Sequence, residues 1–119
     1  IEVESKLPAG DARRMDEGQR LLRHCPDNIP LVACDPLGQD TSSEAMAKLL
    51  ARWRDTGMAS ACFAIGGADG HSQELLGRAE ARIAFGSATW PHMLFRAMLA
   101  EQLYRATMIL AGHPYHRGN

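Results

Sequence analysis

The sequence lacks the features that would mark a membrane-bound, secreted or broadly cationic protein. None of its 119 residues form an apolar run near the roughly 18 residues that a membrane span needs. No basic-then-apolar leader opens the chain, so no signal peptide is expected. Cysteine is scarce: Cys25, Cys34 and Cys62 are odd in number and dispersed, with no CxxC pair. That pattern excludes a disulfide framework and predicts buried, reduced thiols in a cytoplasmic protein. Lysine is nearly absent, with 2 Lys against 11 Arg, and the net charge is only −1. A polyanion would therefore have to be held by a local patch of arginine forks rather than by the whole surface. There is no initiator Met, and the strand-like Ile1–Glu4 stands with no loop before it. A preceding segment is expected to have been removed or never built. What remains, 45% hydrophobic and 23% charged, is the composition of one soluble globular domain, not of a disordered chain.

Short apolar runs alternate with helical patterns. Asp11 is placed to cap a helix running to about His24, with Ala12, Met15, Leu21, Leu22 and Cys25 on its apolar side. Leu31–Cys34 reads as a buried strand closed by the loop Asp35–Gly38. Thr41 and Glu44 have capping-box spacing, and Met46, Leu49, Leu50 and Trp53 continue as a helix until Gly57. Ser60–Ile65 reads as a second strand, Ser72 as the cap of a helix to about Arg82, and Ile83–Phe85 as a third strand. Pro91 fits a first helical position. The final helix, His92 to about Ala111, is interrupted only by Arg96, Glu101, Gln102 and Arg105 among its apolar residues. Such a helix is buried on nearly all sides, and in so small a protein a second subunit is the natural cover. The alternation gives an α/β fold with a mostly parallel sheet flanked by helices. No repeat or linker divides residues 1–119.

Three loops follow the strands: Asp35–Asp40, Gly66–Gly70 and Gly86–Trp90. Ligands in open α/β sheets bind outside the carboxyl ends of strands, so these loops form the expected pocket. Gly66-Gly67-x-x-Gly70 frees backbone amides but is not the GxGxxG dinucleotide fingerprint, and a plain tight turn explains it equally well. The tail gathers His113, Tyr115, His116 and Arg117: near-neutral titratable groups, a stacking ring and an anion fork. His113-x-x-His116 lacks further ligands at zinc spacing, so no metal is expected. His24 and His71, beside helix ends, are expected to face solvent. Glu101 and Arg105 read as an i,i+4 ion pair, His92 as a neutral residue at a helix start, and Arg13, Arg14, Arg20 and Arg23 as a solvated face able to touch RNA phosphate.

Ile65–Gly70, then Pro91-His92 leading into Leu99–Ala106, then His113–Arg117 together resemble the RlmH family of SPOUT (alpha/beta-knot) methyltransferases. The similarity extends over nearly the whole chain, including the Asp35–Gly38 loop and the Trp53 helix. It implies a C-terminal trefoil knot, S-adenosyl-L-methionine bound in that knot, and a homodimer with RNA lying across both subunits. The implied reaction is methylation of N3 of a pseudouridine in 23S ribosomal RNA. Position by position, the cofactor cleft would be Cys34, Gly66, Gly67, Phe85, Gly86, Ser87, Ala88, Thr89 and Trp90. His113, Tyr115, His116 and Arg117 would face the target base. His116 or His113 would take the N3 proton, Tyr115 would position the base, and Arg117 would bind phosphate or offset negative charge.

Two departures from the family stand out. Its members are expected to begin with a strand and a helix ahead of the Ile1–Glu4 strand, neither of which appears in the 119 residues. Cys34 stands where a larger aliphatic residue is common, and Trp90 where Leu is. The alternative reading is therefore a shortened knot that dimerises and binds nucleotide or RNA without turning over.

Overall fold

Helices and strands alternate through the chain as α1 (Asp11–Arg23), β1 (Leu31–Asp40), α2 (Ser43–Asp55), β2 (Cys62–Ile65), α3 (Gln73–Arg78), β3 (Ala81–Ala84) and α4 (His92–Leu110). The structure, a computed structural model, describes residues 3, 5–67 and 69–116. β1 lies between β2 and β3, and both pairings are parallel. The step from β1 to β2 and the step from β2 to β3 run in opposite directions across the sheet. Right-handed crossovers then require α2 and α3 to lie on opposite faces, and the packing shows that they do. Val32 and Cys34 of β1 pack with Met46 and Trp53 of α2 and with Leu99 and Ala106 of α4. Leu31 and Ala33, pointing the other way, pack with Leu75 of α3 and Cys25 beyond α1. A strand covered on both faces must be apolar throughout, which is why Leu31–Cys34 shows no alternation. Val32, Met46 and Leu75 are fully buried.

β1 is longer than its sequence suggests, and irregular. Cys34 pairs with Ile83, and Gln39 pairs with Ile83 again, so residues 35–38 leave the ladder and the strand then rejoins it. Pro36 has no N–H to give a ladder, and the Asp35 side chain accepts a hydrogen bond from the Leu37 amide at 3.0 Å, which turns the chain outward. Gly38 allows the return: a Cβ there would meet Arg82 and Ile83 backbone atoms at 2.8–2.9 Å.

Several boundaries differ from the sequence reading. Asp11 is the first residue of α1 rather than its cap; Gly10 occupies the cap position with φ 107°. The apolar side of α1 begins only at Leu21, for Ala12 is exposed and Met15 is 57% exposed. Ser42, not Thr41, caps α2 by accepting from the Ala45 amide, while the Thr41 hydroxyl donates to Gln39 O. Ser72 caps α3 as expected, but the helix stops at Arg78. The Glu80 amide donates to Leu31 O at 2.8 Å, which draws the chain into β3 early. Pro91 is the cap of α4 rather than its first turn. The strand expected at 1–4 falls outside the described residues save Val3, which has no regular structure.

α4 is unevenly covered. Leu99 and Ala106 are buried, whereas Met93, Leu94 and Tyr104 are 64%, 47% and 52% exposed. α2 and the sheet cover the buried side, and Tyr115 of the tail packs against Tyr104. No helix among the described residues is long and apolar enough to cross a membrane. All three cysteines are free, with Cys25 and Cys34 buried and Cys62 half-buried.

Gly38→Ala should cost about 1–3 kcal/mol, because the added methyl meets backbone that cannot yield without breaking β3 pairing; urea denaturation reads it. Burial pushes the Cys34 thiol up to about 12, so at neutral pH it stays protonated. Iodoacetamide should label Cys34 far more slowly in the native protein than in denaturant.

Candidate active site

The three loops beyond the strands do converge. They enclose a cavity of about 640 Å³, within the roughly 300–1,000 Å³ usual for small-molecule sites. Of the expected cofactor positions, Cys34, Gly66, Gly67, Phe85, Gly86, Ala88, Thr89 and Trp90 line it, and Ser87 does not. Asp35, Asp69, His71 and His92 are further polar groups on its wall.

Each loop is held by identifiable contacts. In the glycine loop the Gly70 amide donates to Gly67 O at 3.0 Å, and Gly70 takes φ +81°, a conformation that excludes most side chains. α1 buttresses this loop from outside. Arg14 Nε donates to Asp69 O at 2.8 Å, and Arg13 Nη1 lies 3.7 Å from Asp69 Oδ2. The arginines read as a solvated face thus include two that fasten a loop of the cleft. Glu17, also on α1, is buried against Gly67, where a Cβ would lie 2.9 Å from Glu17 Oε1. In the third loop the Gly86 amide donates to Asp40 Oδ1 at 2.8 Å, and Trp90 Nε1 donates to Phe85 O at 3.0 Å. Phe85 stacks on Phe95 of α4 with ring centroids 5.1 Å apart.

His71 overturns the expectation that it faces solvent: it is only 8% exposed. Its Nε2 lies 3.0 Å from Ala64 O and 3.2 Å from Cys34 O. Both partners accept, so Nε2 must carry the proton and the ring spans the ends of β1 and β2. Burial pulls its pKa down, which keeps the imidazole neutral. Sequence reasoning missed this residue. No local signal marks it, because its two partners lie on separate strands.

Among the described residues the cleft therefore offers no activated thiol or imidazole nucleophile of the kind Cys34 or His71 could supply. Its one thiol is protonated and its buried imidazole donates to carbonyls. Such a site can bind and orient a ligand that brings its own reactive group.

The tail gathers elsewhere. Arg105 Nη2 donates to Glu101 Oε1 at 2.8 Å, the expected i,i+4 pair. Tyr115 OH donates to the same Glu101 oxygen at 3.1 Å. Arg105 Nη1 lies 3.1 Å from His116 Nδ1, and His116 Nε2 lies 2.8 Å from Glu44 Oε1. Arginine can only donate, so Nδ1 accepts and Nε2–H points to the Glu44 carboxylate. These bonds lower the pKa of Glu101, first through Arg105, and that of Glu44 through His116, and they raise that of Tyr115 through Glu101. The Tyr115 ring packs edge-on against Tyr104 and beneath the Arg105 guanidinium. His113 Nδ1 accepts from the Tyr115 amide. None of His113, Tyr115 and His116 lines the cavity of its own chain, and Arg117 lies outside the described residues. Among the described residues no three His, Cys, Asp or Glu side chains gather as a metal site.

Comparison with known proteins agrees with this architecture. The family model described as "Predicted SPOUT methyltransferase" matches residues 2–116. A protein of Nitrobacter winogradskyi named "Ribosomal RNA large subunit methyltransferase H" is 52% identical over 98% of this chain and 72% of its own length. Proteins of the same name from Rhodospirillum centenum and Bradyrhizobium diazoefficiens are 53% and 52% identical. They match over 98% and 96% of this chain, and over 77% and 71% of their own lengths. On that match, carried through sheet, cleft loops and tail, the chain belongs to the SPOUT methyltransferases and, within them, to the RlmH family.

Proposed function

We propose that this chain is an S-adenosyl-L-methionine-dependent RNA methyltransferase that modifies N3 of a pseudouridine in 23S ribosomal RNA. It would act as a cytoplasmic homodimer with the family's C-terminal knot. One observation carries the reading: the cavity at the strand ends is lined by eight of the nine positions that the family resemblance assigns to the cofactor. The names of the relatives supply the ribosomal RNA. The residues present fit a methyl donor. Glycines at 66, 67 and 86 leave backbone open to a ligand, and Asp35 and Asp69 offer carboxylates on the wall, suited to a cationic molecule. The donor, when bound, supplies a methyl group already activated on a sulfonium.

The remaining work is alignment and removal of a proton. The Gly66–Gly67 and 85–90 backbone would hold the donor. Loss of the N3 proton is assigned to His116 or His113, placement of the base to Tyr115, and phosphate binding to Arg117. The described tail residues stand apart from their own cleft, so they meet a bound donor from a second protomer or after leaving Glu101 and Glu44. The open apolar face of α4 supports the first route, since it is the surface a homodimer would cover. That same separation favours one other reading, a dimeric module that binds nucleotide or RNA without turnover.

Titration calorimetry should show one methyl-donor site per chain. Gly66→Val should weaken it more than tenfold, because even a Cβ there meets Gly70 at 3.3 Å; unchanged affinity would place the site elsewhere. In single-turnover methylation of 23S RNA, His116→Ala or His113→Ala should lower the rate by about 10²–10⁴. Full rates in both would end the base assignment, and no turnover by the wild type would favour the non-catalytic module. Glu101 and Glu44 have folded pKa values below the ordinary carboxylate range. Their hold on the tail is thus complete at neutral pH and lost as pH falls through those lowered values. Tyr115 ring signals in NMR should move as pH falls through those lowered values, and Glu101→Gln should move them at neutral pH.

A further inference from the structure

Cys34, where β1 leaves its ladder, and Ala64, one residue before the end of β2, are joined by one side chain that belongs to neither strand. His71 reaches back from the far side of the glycine loop, and its Nε2 lies within 3.2 Å of Cys34 O and 3.0 Å of Ala64 O. The same ring supports the loop itself. A Cβ on Gly66 would lie 3.4 Å from His71 Cδ2, which is ordinary contact distance for an underlying group. At the next residue the Ser72 hydroxyl fixes the start of α3 by accepting from the Leu75 amide. The ring is thus wedged among three things that must keep a fixed spacing if the cleft is to keep its shape: the end of β1, the end of β2, and the Gly66–Gly67 backbone.

Beyond Cys34 the strand β1 swings out of the ladder for four residues, and beyond Ile65 the chain turns into the glycine loop. The first departure begins at Cys34, which His71 ties, and the second begins one residue after Ala64, its other partner. A loop amide displaced by an ångström no longer reaches its ligand, and geometric error of that size is costly in binding and catalysis.

We propose that His71 is a positioning residue of the cofactor cleft, a neutral clamp whose single Nε2–H ties the ends of β1 and β2 and sets the Gly66–Gly67 backbone against which the methyl donor binds. The proposal deepens the methyltransferase reading and rests on it for the identity of the ligand. The clamp itself is a statement about this chain alone.

Three measurements test it together. In the wild type, long-range ¹H–¹⁵N NMR of the imidazoles should show His71 as the Nε2–H tautomer at neutral pH; an Nδ1–H tautomer would overturn the clamp without any variant. Amide exchange at Ile65, Gly66 and Gly67 should be faster in His71→Leu, which removes the donor. It should stay near wild type in His71→Gln, which returns an N–H close to the Nε2 position. Calorimetry with S-adenosyl-L-methionine should show a loss of roughly tenfold or more for His71→Leu and near-wild-type affinity for His71→Gln. In turnover the loss should fall on KM for the methyl donor, with kcat at saturating donor and KM for RNA little changed. A general loss of stability would not produce that split, nor would it be rescued by the amide. Wild-type affinity in a folded His71→Leu protein would overturn the proposal, as would equal damage from His71→Gln. Should the wild type take up no methyl donor, the methyltransferase reading fails, while tautomer and amide exchange still decide the clamp.

Discussion

The cleft exists because β1 leaves its sheet for four residues and returns. Cys34 and Gln39 both pair with Ile83, so 35–38 stand out from the ladder and form one wall. Three local facts make that excursion possible: a proline without a donor, an aspartate that accepts from the Leu37 amide, and a glycine small enough to pass Arg82 and Ile83. β1 is also the strand from which the chain steps first one way and then the other across the sheet. At such a switch point the flanking helices separate to opposite faces, and the strand ends between them open a crevice. The bulged wall, the glycine loop and the 85–90 loop all meet there. None of the three would enclose a volume alone.

Burial then decides what kind of site the crevice is. The thiol of Cys34 and the imidazole of His71 are held in their neutral forms because each is removed from water. The arginines nearest the glycine loop, Arg13 and Arg14, face Asp69 and hold the loop. The cavity wall carries backbone groups, apolar rings, the imidazoles of His71 and His92, and the carboxylates of Asp35 and Asp69, the latter facing Arg13. That is the lining for a small cationic ligand more than for a polyanion. It is consistent with a net charge of −1 in a chain proposed to act on RNA: the cleft takes the donor, and RNA must be met by surface elsewhere.

Much of this was legible from residue order. Buried strands announced themselves as short apolar runs, helices as 3–4 spacing, and the pocket followed from strand-end topology before any family was considered. The misreadings have definite physical causes. Ser42 and Thr41 are adjacent residues that can both cap, Ser the better, and the Thr41 hydroxyl is engaged instead by Gln39 O. Glu80 was read as helical because its donor bond to Leu31 O is made to a residue 49 positions away. His71 was read as solvent-facing because burial of a polar ring depends on two carbonyls from separate strands. Local pattern carries local structure, and the misreadings of Glu80 and His71 each turned on a hydrogen bond to a distant residue.

α4 shows how far one chain's own packing can go. Its mean composition is apolar around nearly the whole circumference, yet a three-stranded sheet with one helix beside it covers only the Leu99 and Ala106 side. The helix also carries Glu101 and Arg105, the anchor from which Tyr115 and His116 are hung. Covering the exposed Met93 and Leu94 by water alone would forgo the burial that such residues ordinarily gain, on the order of 1.5–3 kcal/mol for each side chain. A second protomer on that face recovers it. It would also place a foreign surface beside the cleft mouth, because Pro91, His92 and Phe95 of the same segment line the cavity. In the proposed homodimer, oligomerisation and completion of the site would then be one event at the start of α4. The apolar residues that make the helix look buried from sequence are the ones that a lone chain leaves exposed.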